Sequence, residues 1–155
     1  MKKISFVAIG AMLLSTSIYA LSPLIGSLNQ NQLYTDEKNM CYGVSSLTLN
    51  YCGLIKDKDR KNECMGIIQA NSGYCMFIKD KDRQNNCLSV SLNNIGYCDK
   101  IVDKDIKNRC IGYAKSNSGY CSMIKDSNIK NSCMGAVEKN PSFCNNLQKE
   151  SNKTK

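Results

Sequence analysis

The sequence predicts an all-α fold, a disulfide-stapled α-solenoid of tandem 23-residue helical hairpins, and three observations predict it. Ten cysteines, Cys41, Cys52, Cys64, Cys75, Cys87, Cys98, Cys110, Cys121, Cys133 and Cys144, follow one another at alternating steps of 11 and 12 residues. Two steps make a 23-residue unit, and self-similarity at a period of roughly 20–50 residues marks a repeat array. Second, the units align: YCGLIKDKDRKNECMGIIQANSG from Tyr51, YCMFIKDKDRQNNCLSVSLNNIG from Tyr74, YCDKIVDKDIKNRCIGYAKSNSG from Tyr97 and YCSMIKDSNIKNSCMGAVEKNPS from Tyr120. Third, Leu, Ile, Val and Phe make up only 27 of the 135 residues after Ala20. A core that thin needs cross-links, and an even set of evenly spaced cysteines supplies them.

Residues 1–20 read as a secretory signal peptide. Lys2 and Lys3 are the basic start, Ile4 to Leu14 the apolar stretch, and Ala20 a plausible cleavage position. The apolar stretch is short for a membrane span, no second one follows, and Leu21 rather than a lipid-anchored cysteine would begin the mature chain. The expected location is therefore exported, periplasmic or secreted. Residues 21–34 form an N-terminal segment ahead of the repeat domain, assigned to 35–147. A partial unit precedes Tyr51, in which Lys38-Asn39-Met40-Cys41 matches the second half of the motif.

Within each unit the first helix is short. Asn71, Asn94, Asn117 and Asn140 stand four residues before a cysteine, at the N-cap position, and Pro141 suits a first helical turn. Ile55, Ile78, Ile101, Ile124 and Leu147 lie three residues after a cysteine, on the same helical face. The second helix is longer, with Asp57, Asp80, Asp103 and Asp126 as its caps. Asp59, Asp82 and Asp105 fall in its first turn, where negative charge opposes the dipole. Two residues after its cysteine stands Gly43, Gly66, Ser89, Gly112 or Gly135. A mid-helix glycine costs about 1 kcal/mol against alanine, so its recurrence implies a close neighbour. Asn39, Asn62, Asn85, Asn108 and Asn131 precede that cysteine by two residues, as if bonded between units. A partial unit from Phe143 and a basic tail, 148–155, end the chain. The plan resembles the architecture of tetratricopeptide-type arrays, with 23 residues per unit in place of about 34 and none of their signature residues at the right spacing.

Two disulfide connectivities compete. Pairing inside a unit, as Cys52 with Cys64, would strand Cys41 and Cys144 at the ends of the array. Pairing across unit boundaries uses all ten and is the expectation: Cys41–Cys52, Cys64–Cys75, Cys87–Cys98, Cys110–Cys121 and Cys133–Cys144.

Composition narrows the chemistry. The chain has no histidine, which removes the usual general base and the commonest zinc ligand. There is no glycine-rich phosphate loop, and acidic residues that recur unit after unit read as caps rather than as a catalytic pair. The Asp-Lys-Asp triplets lack the remaining oxygens of a calcium loop. No catalytic residue, metal site or cofactor is expected. With Lys2 and Lys3 removed, 19 basic and 13 acidic residues leave a net charge of +6, mixed through every unit. That favours an acidic surface or glycan over nucleic acid. Met40, Met65, Met76 and Met134 beside cysteines raise a Cu(I)-sequestering alternative. Tyr51, Tyr74, Tyr97, Tyr120 and Phe143 form a ladder of one aromatic per unit, for packing or for recognition. The leading expectation is a non-enzymatic protein-interaction scaffold of inhibitor, immunity, adaptor or secreted-effector type. A structural envelope or surface component is a further alternative.

Overall fold

The computed structural model describes residues 30–149. The proposed signal peptide, most of the 21–34 segment and residues 150–155 of the tail lie outside the described residues. Among the described residues five long helices alternate with five short ones. The long helices are α1 (Gln30–Ser46), α3 (Lys58–Ile68), α5 (Lys81–Ser91), α6 (Lys104–Lys115) and α8 (Ser127–Val137). The short ones are α2 (Leu49–Leu54), α4 (Ser72–Cys75), α7 (Ser118–Ser122) and the 3₁₀ helices η1 (Ile95–Lys100) and η2 (Pro141–Asn146). There is no strand among the described residues, so the all-α class stands. The first unit is fuller than its sequence suggests, because α1 already begins at Gln30.

Local chemistry sets the hairpins. Asp57, Asp80, Asp103 and Asp126 cap the long helices, each accepting from a backbone N–H of the first turn. Asn71, Asn94, Asn117 and Asn140 cap the short ones, each accepting from the N–H two residues on. The turn from long to short helix passes through a residue in the left-handed region: Leu47, Ala70, Asn93, Ser116 and Lys139, with φ between 49° and 53°. At Ala70 the bonds Asn71 N to Gly66 O and Ala70 N to Ile67 O make a Schellman closure. The same asparagine therefore ends one helix and starts the next.

The array closes on itself. Helix α1 packs on α3, α3 on α5, α5 on α6, α6 on α8, and α8 back on α1. The disulfides follow this closure and correct the expected connectivity. They join Cys52–Cys64, Cys75–Cys87, Cys98–Cys110, Cys121–Cys133 and Cys41–Cys144, with Cα–Cα distances of 5.5–5.7 Å. Within-unit bonds would strand the terminal cysteines only in an open array. In a ring they are neighbours: η2 stands to α1 as every other short helix stands to the long helix after it. The Cys41–Cys144 bond, separated by 103 residues, repeats the local geometry of the four bonds separated by 12.

The recurring glycine explains why each short helix bonds forward. A Cβ on Gly66 would lie 2.5 Å from Cys87 Sγ and 3.1 Å from Cys75 Sγ. Gly43 faces the Cys52–Cys64 bond in the same way, and Gly112 the Cys121–Cys133 bond. At Gly135 the sulfur is Cys41 Sγ, at 3.5 Å, which completes the circle. The close neighbour implied by the sequence is thus the next unit's disulfide. In the third unit Ser89 replaces glycine, and its Oγ lies 3.2 Å from Cys98 Sγ. All ten cysteines are buried, as are Ile55, Ile78, Ile101, Ile124 and Leu147.

Candidate functional site: the ring lumen and its mouth

The second aspartate of each Asp-Lys-Asp triplet does more than oppose a dipole. Asp59 Oδ2 accepts from Lys79 N and Asp80 N of the next unit, at 3.0 and 2.9 Å. Asp82 does the same for Val102 N and Asp103 N, and Asp105 for Lys125 N and Asp126 N. Asp36 clamps Lys56 N and Asp57 N in the first unit, and Asn128 holds Gln148 in the last. These five residues recur every 23 positions: Asp36, Asp59, Asp82 and Asp105 each tie a long helix to the entry of the next, and Asn128 ties α8 to the segment after η2. The N-terminal ends of all five long helices therefore meet at one mouth of the ring.

Inside, one register position faces the axis from every unit, the residue before the long-helix cysteine. Met40, Glu63, Asn86, Arg109 and Ser132 occupy it, and all are at most 1% exposed. Glu63 is the hub. Arg109 Nη2 donates to its Oε1 at 2.6 Å, Asn86 Nδ2 to the same oxygen at 2.6 Å, and Arg83 Nη1 to its Oε2 at 2.7 Å. Arg109 lies 46 residues from Glu63, so this bond crosses the lumen rather than joining adjacent units. Burial by itself raises a carboxyl, but the charges of Arg109 and Arg83 and the bonds from Asn86 and Arg83 outweigh it. They hold the Glu63 carboxyl below its ordinary value. Adjoining these polar side chains, an apolar cluster of Met40, Val44, Cys52, Ile55 and Cys64 has Ile67, Tyr113 and Ala136 packed against it.

Toward the N-terminal mouth the lumen opens into a cavity of about 180 Å³. Arg60 and Arg83 line it together with Glu37, Tyr34, Asp126 and Asn128. Arg60 is paired with Glu37 Oε2. Desolvation first, and then the adjacent Arg83 charge, draw the Arg60 guanidinium down to about 10. Glu37 is 8% exposed, and its second oxygen, Oε1, has no hydrogen-bond partner among the described residues.

The residues singled out by sequence divide in two. The cysteines form the staples, so none is free among the described residues and the Cu(I) alternative loses its thiolates. Among those residues no group of three or more histidine, cysteine or acidic side chains is placed to hold a metal ion. The aromatic ladder sits half-buried, one ring per unit at Tyr51, Tyr74, Tyr97, Tyr120 and Phe143. Tyr51 stacks on Tyr42 at 5.3 Å, while Lys100 and Lys115 lie over Tyr97 and Tyr120. Asn131 donates to Asn146 O at 3.4 Å, but among the described residues Asn39, Asn62, Asn85 and Asn108 make no matching side-chain bond, so the recurring inter-unit bond expected of this column is not general. Sequence reasoning missed the lumen. Its signal was a single column of the repeat, reading Met, Glu, Asn, Arg, Ser, beside a cysteine that never varies.

Among the described residues no helix is long and apolar enough to cross a membrane. No protein-family model matches the chain, and no curated protein or solved structure matches it either.

Proposed function

We propose that this protein is an exported, non-enzymatic interaction scaffold that engages a protein partner through the loops leading into its long helices. The observation that carries the reading is a repeated apolar display. Leu54, Phe77 and Met123 stand at one position of three units, two residues after the short-helix cysteine, and all are exposed, Phe77 by 73%. Val102, 87% exposed, extends the display on the neighbouring loop. Each such loop is held at one side by a disulfide and at the other by an aspartate clamp. Large apolar side chains on a backbone already ordered reduce the entropic cost of association. Five disulfides support an oxidising compartment, and hence export.

The test is capture from the native envelope or culture fluid by the oxidised protein, beside the double variant Phe77→Asp/Val102→Asp. A partner held at micromolar concentration by the natural sequence and lost by the variant is the expected result. Equal capture by both, or none by either, removes this reading.

A further inference from the structure

We propose that the cavity at the N-terminal mouth of the ring is a binding site for a small zwitterion, an α-amino acid with a short side chain. Three observations combine in it, none drawn from the apolar loops.

First, hydrogen-bonding capacity of both kinds is left over in one place. A guanidinium carries five N–H groups. Among the described residues, Arg60 gives side-chain hydrogen bonds only to Glu37, and Arg83 only to Glu63, each through Nη1. The remaining N–H groups belong to two arginines that line the cavity. Glu37 lines the same cavity, and its buried Oε1 is an acceptor without a donor among the described residues. A buried polar atom left in this state costs roughly 1–3 kcal/mol, and a ligand donor recovers that cost. Second, the charges balance. Of the charged side chains that line the cavity, Arg60 and Arg83 stand against Glu37 and Asp126, the last of which also caps α8. A ligand with both signs and no net charge leaves this balance intact, whereas a simple anion or cation upsets it. Third, the size is small. About 180 Å³ falls below the roughly 300 Å³ at which sites for drug-sized molecules begin.

In the arrangement that follows, the ligand carboxylate accepts from Arg60 and Arg83, a geometry that arginine serves well. The α-ammonium donates to Glu37 Oε1. The side chain lies toward Leu33, Tyr34 and Ile129, the apolar part of the lining.

The experiment uses the full oxidised chain and four probes, alanine, lactate, acetate and ethylamine, titrated with the arginine side-chain N–H signals followed by NMR. Alanine is expected to give saturable shifts at Arg60 and Arg83, with each other probe at least about tenfold weaker, the equivalent of one lost hydrogen bond of about 1.4 kcal/mol. Glu37→Gln should bring alanine down to the level of lactate, and Arg60→Lys should weaken alanine while keeping the charge beside Glu37. Intact mass confirms five disulfides in each variant, so lost binding is not lost folding. No saturation by any probe at about 10 mM, where even weak sites of this kind fill, overturns the proposal. Lactate or acetate binding as tightly as alanine overturns it as well, in favour of a plain anion site. Neither result bears on capture of a protein by the loops.

Discussion

Replacing Glu63 by glutamine probes the centre of the ring with almost no change of shape. The natural carboxylate receives three bonds of 2.6–2.7 Å, two of them from arginines, and Glu63 and Arg109 are 0% and 1% exposed on their side chains. Glutamine keeps one acceptor oxygen and turns the other into a donor facing a guanidinium. Arg83 and Arg109 then share no negative charge. Each charge-assisted bond is worth about 1.5–3 kcal/mol, and removing one partner of a buried pair costs about 3–5 kcal/mol because the other charge stays buried. The expected loss is therefore about 3–5 kcal/mol, or roughly 10–20 °C in Tm for a chain of this length. Urea unfolding with the disulfides intact, followed by circular dichroism, measures it. Acid titration provides a second readout. Because folding lowers the Glu63 pKa, its contribution is full above the unfolded value near 4.5 and is lost as pH falls through the folded value. Glu63→Gln should flatten that part of the acid limb. A loss below about 1 kcal/mol, or an acid limb unchanged in the variant, would refute the reasoning, because it would mean the lumen does not rely on this ion cluster.

Gly66→Ala should cost about 1–3 kcal/mol despite alanine's better helix propensity, since its Cβ would meet Cys87 Sγ at 2.5 Å, while Gly53→Ala, with nothing within 4 Å, should gain up to about 1 kcal/mol; both are read from denaturant midpoints. Replacing Cys41 and Cys144 together by alanine should cost about 3–5 kcal/mol and release α1 from η2 in hydrogen exchange, and peptide mapping of the natural protein without reductant should recover a Cys41–Cys144 linked fragment. Asp82→Ala removes two bonds, to Val102 N at 3.0 Å and Asp103 N at 2.8 Å, and should lower stability by about 1–2 kcal/mol with faster amide exchange at those two residues.

Much of this molecule is local, and local features are legible in a repeat. The 23-residue unit, the caps at Asp57 and Asn71, the buried Ile55 series and the crowded Gly66 position all follow from interactions within about one unit, so each recurs as a column of the aligned sequence. The all-α class follows from the same columns. The curvature of the array does not. It is the sum of a small rotation at each joint, and whether five rotations close a circle is decided by packing between units, which no single column records. Closure made neighbours of Cys41 and Cys144 and thereby reversed the disulfide assignment. It also created an axis, and so gave a shared environment to Met40, Glu63, Asn86, Arg109 and Ser132, residues up to 92 positions apart. Their types differ because they complement one another across the lumen instead of repeating a task within a unit. The sequence by itself determined how each hairpin is built and that disulfides staple it, while which cysteines pair was decided by the tertiary structure. Only the tertiary structure decided that the hairpins form a ring, what its centre holds and where its polar mouth lies, because those properties belong to contacts between distant units.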